Sequence, residues 1–267
     1  MDFGRPKVMG IINATPDSFY SGSRTPEGEA LEARVRGMLS AGADIIDVGG
    51  YSSRPGCEDI SAEEEYARLA MALECVRRVD EVIPVSVDTF RADVARRCVG
   101  DWGVSIINDI SGGTLDMDMW ETVASTGAVY VLMHMRGTPQ TMTGLTEYGD
   151  VTAEVISDLA FKLSGLRELG VADVIIDPGF GFAKDVAQNF RLLEELGQFG
   201  RLGCPVLAGL SRKSMIWRTL GITPEDSLNG TTALNMVALT NGADILRAHD
   251  VREARECCRL YENLRSC

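Results

Sequence analysis

Eight short apolar runs recur along the chain: Val8 to Ile12, Ile45 to Val48, Val85 to Val87, Val104 to Ile107, Val129 to Met133, Val174 to Ile176, Val206 to Ala208 and Ile245 to Leu246. They do not alternate polar with apolar residues, which is the pattern of strands covered on both faces in a parallel sheet. Between them the apolar positions fall at helical spacing. Tyr66, Leu69, Leu73, Val76 and Val79 recur at three and four residues, and Ser61 with Glu64 forms a capping-box start. Thr25-Pro26 and Thr223-Pro224 read as N-caps followed by proline at the first helical position. Asp185 with Gln188 gives another capped start, and Leu159, Leu163 and Leu166 make an apolar stripe before the sixth run. Strand and helix therefore alternate at intervals of roughly 20 to 45 residues, which favours an α/β fold of the closed TIM (β/α)8 barrel type over a doubly wound open sheet.

Composition narrows the partners. The 267 residues carry 26 basic and 39 acidic side chains, a formal net charge of −13. A nucleic-acid backbone requires clustered Lys and Arg, so no nucleic-acid partner is expected. No Pro/Gly/Ser-rich linker or charge block divides the sequence, and one domain over residues 1–267 is expected. The most apolar stretches, such as Val129 to Met133, fall far below the ~20 residues that a bilayer demands. Met1-Asp2-Phe3-Gly4-Arg5-Pro6 lacks the apolar block of a secretory signal, so the expectation is a cytoplasmic protein with no membrane association. Seven cysteines at irregular spacing, with no Cys-x-x-Cys, read as reduced thiols rather than a disulfide or zinc framework.

Barrel chemistry sits at the carboxyl ends of the strands. The residues that follow the eight runs are polar: Asn13, Gly49-Gly50 leading to Ser52-Ser53-Arg54, Asp88, Asn108-Asp109, His134, Asp177, Ser211-Arg212-Lys213-Ser214, and Arg247-Ala248-His249. Any one of them alone reads as a helix cap or a loop hydrogen-bonder. Together they describe a polarised mouth. Asp88, Asn108, Asp177 and Lys213 suit a flat heterocycle with an amidine-like donor edge and a carbonyl acceptor. Arg54, Arg247 and His249, with the hydroxyls of Ser52 and Ser53, suit a phosphate or diphosphate. Asn13 is placed to reach a metal ion bound to that anion, in keeping with Mg²⁺, which takes few protein ligands. Gly49-Gly50, Gly112-Gly113, Gly179, Gly181 and Gly209 follow strands where close approach to backbone is useful. No G-x-G-x-x-G with an acidic partner and no G-x-x-x-x-G-K-[ST] occurs, which counts against dinucleotide and P-loop sites.

These segments carry a family resemblance. Met9-Gly10-Ile11-Ile12-Asn13-Ala14-Thr15-Pro16-Asp17-Ser18-Phe19 resembles the first-loop signature of dihydropteroate synthases, and Gly49-Gly50-Tyr51-Ser52-Ser53-Arg54-Pro55-Gly56 the second. Val87-Asp88-Thr89, Ile107 to Gly113, His134 to Pro139, Asp177 to Phe182, Gly209 to Ser214 and Arg247 to Val251 follow in the family's order. The resemblance implies condensation of 6-hydroxymethyl-7,8-dihydropterin diphosphate with 4-aminobenzoate, yielding dihydropteroate and pyrophosphate with Mg²⁺, by a homodimer that is a sulfonamide target. It implies pterin contacts from Asp88, Asn108, Asp177 and Lys213, with Met133 and Gly209 completing the substrate set, and diphosphate contacts from Arg247 and His249. It implies Asn13 as the magnesium-associated residue, Ser53-Arg54-Pro55 as a mobile loop, and Phe182 and Ser214 on the aminobenzoate side. The groups acting on the reacting bond would be Asp88, Asp177, Lys213, Arg247 and His249.

The chain departs from the family pattern at Ser53, where Thr is usual, at Tyr51, where Glu or Gln is usual, at Ala183, where Gly is common, and at Tyr20-Ser21, where an Asp is frequent. Competing readings are methyl transfer to a corrinoid protein, an aldolase with Lys213 as Schiff-base nucleophile, and a pterin-binding paralogue without turnover.

Overall fold

The structure, a computed structural model, describes residues 4–14, 26–52 and 59–266. Ser53, Arg54, Pro55, Thr25 and the Tyr20-Ser21 pair lie outside the described residues. Each apolar run falls on a strand: β1 (Lys7–Asn13), β2 (Ile45–Gly49), β3 (Val85–Asp88), β4 (Ile106–Asp109), β5 (Val129–Met133), β6 (Val174–Asp177), β7 (Leu207–Ala208) and β8 (Ile245–Ala248). All are parallel, in the order β6-β5-β4-β3-β2-β1-β8-β7. A parallel bridge from Ile176 to Val206, with the Ile176 N–H donating to the Pro205 carbonyl at 2.8 Å, joins β6 to β7 and closes the barrel.

The connecting helices are α1 (Pro26–Ala41), α2 (Ala62–Val79), α3 (Ala92–Trp102), α4 (Met119–Thr126), α5 (Val151–Glu168), α6 (Val186–Glu194), α7 (Ser214–Leu220), α8 (Leu228–Thr240) and α9 (Val251–Arg265). The Asp185–Gln188 capping box forms in both directions, each bond at 2.8 Å. Only half of the Ser61–Glu64 box forms. Ser61 Oγ accepts from the Glu64 N–H at 3.2 Å, but the Glu64 carboxylate turns to Arg68 instead, at 2.5 Å. Thr223, expected as a cap, lies one residue ahead of that position: Pro224 caps a short 3-10 turn (Glu225–Ser227) that runs into α8, and Thr223 Oγ1 accepts the Asp226 N–H at 3.4 Å.

Strand periodicity sorts the core into two shells. One set of strand residues, including Val8, Ile12, Ile46, Val48, Val87, Ile107, Leu132 and Ile176, packs against helix residues such as Leu69, Leu73, Leu159 and Leu163. The alternate set, Met9, Ile45, Ile106, Val131, Ile175, Leu207 and Ile245, forms its own buried cluster inside the barrel. Each of these large side chains contributes roughly 1.5–3 kcal/mol by leaving water. The inner cluster stops short of the carboxyl ends. Two residues further along, the same inward positions carry Asp47, Asn108, Met133, Asp177 and Arg247, so the mouth is polar because the strand period carries it there.

Among the described residues no helix is long and apolar enough to cross a membrane. Cys75, Cys98, Cys204, Cys257 and Cys258 are free thiols. Burial pushes the Cys98 and Cys258 thiols up to about 12, which keeps them unreactive.

Candidate active site

Arg247, on β8, reaches across the pocket. Its Nε donates to Asp47 Oδ2 at 2.7 Å, and its Nη2 lies 2.6 Å from the same oxygen and 2.7 Å from Asp88 Oδ2. Asn108 pairs in register with Asp88 and directs its Nδ2 toward both Asp47 oxygens at 3.4 Å. Burial raises the Asp88 carboxyl to about 7, against the pull of Arg247 and with a further push from Asp47. Asp177, buried at the end of β6 and paired in register with Met133, is also raised, chiefly by burial, with Lys213 as the main opposing charge. Lys213 is lowered by burial to about 8 and held up by Asp177. Three carboxylates (Asp47, Asp88, Asp177) and two cations (Arg247, Lys213) therefore share one pocket, with Met133 adding a buried apolar wall.

The segment between β6 and α6 forms the next wall. Asp177 Oδ1 accepts the Gly179 N–H at 2.7 Å, and Asn189 Oδ1 accepts the Gly181 N–H at 2.6 Å. Lys184, buried behind this segment, contacts the carbonyls of Gly179 (3.0 Å) and Phe182 (2.9 Å) and His134 Nδ1 (3.0 Å). Gly179 has φ +72°, and a Cβ there would lie 2.0 Å from the His134 carbonyl oxygen, so only glycine fits. From the other side, Lys213 Nζ donates to the Phe180 carbonyl and sits 4.4 Å from the Phe182 ring centroid. Ala183 takes φ +50°, the left-handed conformation that a glycine would adopt without strain, and its carbonyl accepts the Tyr148 hydroxyl at 2.9 Å.

At the anion side, His249 Nδ1 lies 2.9 Å from Ser211 Oγ, while the His249 N–H donates to that same oxygen at 3.1 Å. Because Oγ already accepts the backbone N–H, its proton is best used toward Nδ1, which leaves Nε2–H free to donate. Burial and the nearby Arg247 lower His249 to about 4, so it meets an anion at neutral pH as a neutral donor, not as a cation. Asn13 is exposed at the end of β1, in register with Gly49. Ser214 opens α7, and Gly209 is buried just beyond β7.

Several strand-end residues do not face the mouth. Asp109 points into the outer shell, where it accepts from the Ser111 N–H, Ser111 Oγ, Gly113 N–H and Tyr130 hydroxyl, each at 2.7 Å. His134 is packed beneath the Gly179 segment. Arg212 clamps Asp250 at 2.9 and 3.0 Å and the carbonyls of Pro224 and Glu225. Tyr51 accepts from Gln140 Nε2 at 3.2 Å and packs edge-on to Phe90 at 5.1 Å, linking three loops. Asp47 was hidden from sequence reasoning inside an apolar run; its one signal was a carboxylate at an inward strand position.

A polar floor of this kind inside a closed parallel barrel defines a heterocycle-binding enzyme, and residues 9–249 match the family described as pterin binding enzyme. Within that class the chain belongs to the dihydropteroate synthase family. The dihydropteroate synthase of Synechocystis sp. is 41% identical over 267 residues, covering 98% of this chain and 92% of that protein. The Yersinia pestis dihydropteroate synthase, solved as a sulfonamide drug complex, superposes with a TM-score of 0.92 at 36% identity, covering 100% of this chain and 97% of that one. The Xanthomonas albilineans dihydropteroate synthase with 4-aminobenzoic acid gives 0.89 at 36% identity, covering 99% and 95%.

Proposed function

We propose that this chain condenses 6-hydroxymethyl-7,8-dihydropterin diphosphate with 4-aminobenzoate to give 7,8-dihydropteroate and pyrophosphate, a step of folate biosynthesis. The observation that carries the reading is the convergence of Asp88, Asn108, Asp177, Lys213 and Arg247 on one pocket, beside the Nε2 side of His249, to which no hydrogen bond is made among the described residues. Asp177 keeps Oδ2 for the 2-amino and N3 donors of the pterin while Oδ1 stays on Gly179. Asp88, Asn108 and Lys213 complete the heterocycle's contacts, with Met133 and Gly209 lining them.

In the reaction the C–O bond to the diphosphate breaks with its electron pair leaving on oxygen. The arylamine lone pair forms the new C–N bond, and the amine proton passes to solvent. Departure places positive charge on the pterin ring, which the carboxylates of Asp88 and Asp177 stabilise. Arg247 and the neutral His249 donate to the leaving group. Phe182 and Ser214 are assigned to the aminobenzoate, and Ser53, Arg54 and Pro55, which lie outside the described residues, to closure over both substrates.

The residues present fit a magnesium ion that arrives on the diphosphate. Asn13 offers one amide oxygen, and no group of three or more His, Cys, Asp or Glu is poised for a metal among the described residues, so phosphate oxygens and water would fill the rest of the shell. When bound, the ion neutralises leaving-group charge.

We further assign the chain a cytoplasmic location, a single domain, sulfonamide sensitivity and a homodimer through its outer helices. The dimer is supported by Leu220, Val237, Leu260 and Leu264, exposed on α7, α8 and α9; solution mass tests it. The function is tested with purified protein, both substrates and Mg²⁺, assayed for pyrophosphate. Tight pterin binding without release would favour a paralogue lacking turnover, and borohydride trapping of a carbonyl substrate on Lys213 would favour an aldolase. The diphosphate leaves ahead of C–N bond formation in this reading, and a kinetic isotope effect of associative size at the methylene carbon would rule that order out.

A further inference from the structure

Asp47 is an ionisable group of the pocket to which the proposed reaction assigns no contact of its own, and it is fully buried. A buried carboxylate is strongly disfavoured unless it is paired and hydrogen-bonded. Here Oδ2 takes two N–H groups of Arg247, at Nε and Nη2, and Asn108 Nδ2 approaches from the side. Two donors on one oxygen fix the plane of the guanidinium and leave Nη2 only a shared bond to Asp88. Without that grip, Arg247 is free to turn its full fork onto Asp88 and occupy the acceptor that the heterocycle needs.

We propose that Asp47 is a positioning residue for the pterin site: it holds Arg247 against the pocket wall so that Asp88 can exchange its arginine contact for a ring N–H of the substrate away from the edge held by Asp177. This rests on the function proposed above. Gly49, next along β2 on the same face, supports it. Gly49 pairs with Asp88 and has no side chain, which leaves Asp47 as the last inward side chain of β2, below Asp88. The charges that act on Asp88 are Arg247 from β8, Asp47 from β2 and Lys213 from the start of α7, with Glu65 on α2 and Asp109 on β4 acting from behind the strands. Asp47 and Glu65 are among the carboxylates that raise Asp88. Removing the Asp47 charge, and letting Arg247 close on Asp88, both make Asp88 easier to ionise.

The test is Asp47→Asn, isosteric and neutral, studied by steady-state kinetics against pH with its melting temperature recorded. We expect KM for the pterin diphosphate to rise about 10- to 100-fold, the range for losing a charge-assisted hydrogen bond. KM for 4-aminobenzoate should stay within about threefold, and the acid limb of kcat/KM should move to lower pH, a shift that a purely structural role would not produce. Arg247→Lys keeps the charge but lacks the fork, and should raise the pterin KM similarly. Adding Asp47→Asn to it should cost less than about threefold more, because the two act as a unit. An unchanged pterin KM and acid limb in Asp47→Asn, or its full independent loss on top of Arg247→Lys, overturns the proposal. If Asp47→Asn does not fold, a wild-type pterin KM in Arg247→Lys overturns it alone. Absence of wild-type turnover refutes the proposed reaction; the same variants are then compared by calorimetric Kd for the pterin diphosphate.

Discussion

Replacing Asp177 with Asn tests two couplings at once. The Asn side chain can keep its oxygen on the Gly179 N–H, now at 2.7 Å, so the loop and the melting temperature should change little. Its amide nitrogen then faces the donor edge of the pterin, donor against donor. The lost charge-assisted pairing is worth about 3 kcal/mol, which converts to a fall of about 150-fold in kcat/KM. The second effect falls on Lys213. Asp177 is the main charge holding that ammonium up to about 8 against burial, so its removal lets Lys213 lose its proton at lower pH. The alkaline limb of kcat/KM should therefore move from about 8 toward neutrality. Initial rates by pyrophosphate release across pH, on protein of matched melting temperature, measure both. A kcat/KM within threefold of wild type would remove Asp177 from the pterin site, and an unmoved alkaline limb would refute its coupling to Lys213.

Wild-type kcat/KM should fall as pH drops through about 7, because a carboxyl raised to that value is protonated below it; a flat profile between pH 6 and 8 contradicts the role of Asp88. His249→Gln should leave that limb in place, since burial has already made His249 neutral down to about 4. Gly179→Ala combines a left-handed backbone with a Cβ 2.0 Å from the His134 oxygen. It should lose about 3 kcal/mol or more, read as a melting-temperature drop of roughly 6–12 °C or as insoluble protein. Tyr130→Phe removes one of four donors to Asp109 and should cost about 1–2 kcal/mol in denaturant unfolding, while kcat stays within about twofold because the ring lies in the outer shell.

Strand positions were legible because burial on both faces writes an uninterrupted apolar run, and all eight runs fall on barrel strands. Which side of the strand a polar residue takes was not legible from adjacency. Asn108 and Asp109 stand together in sequence, yet the two-residue period sends Asn108 to the pocket and Asp109 to the loop behind it. The same parity, applied to β2, would have found Asp47. Arg212 was grouped with Lys213 by proximity, but its positive φ of 54° turns it to Asp250, a backbone choice that no residue pattern announced. His249 was recognisable as an anion contact but not as a neutral one, since its charge depends on the burial that only the folded barrel supplies and on Arg247 beside it.

The two shells of the barrel also bear on which misfolded alternatives the chain can reach. Slipping a strand by one residue exchanges its inward and outward side chains. In β2 that slip would thrust Asp47 into the hydrocarbon sleeve beneath α2 and leave Arg247 without its partner; in β6 it would do the same to Asp177. Stranding an ionised carboxylate there is worth several kcal/mol against the mispaired state. The charges that serve the ligand thus also proofread the assembly of the barrel, and a variant that neutralises them should trade catalytic loss for a chain more tolerant of the wrong alignment.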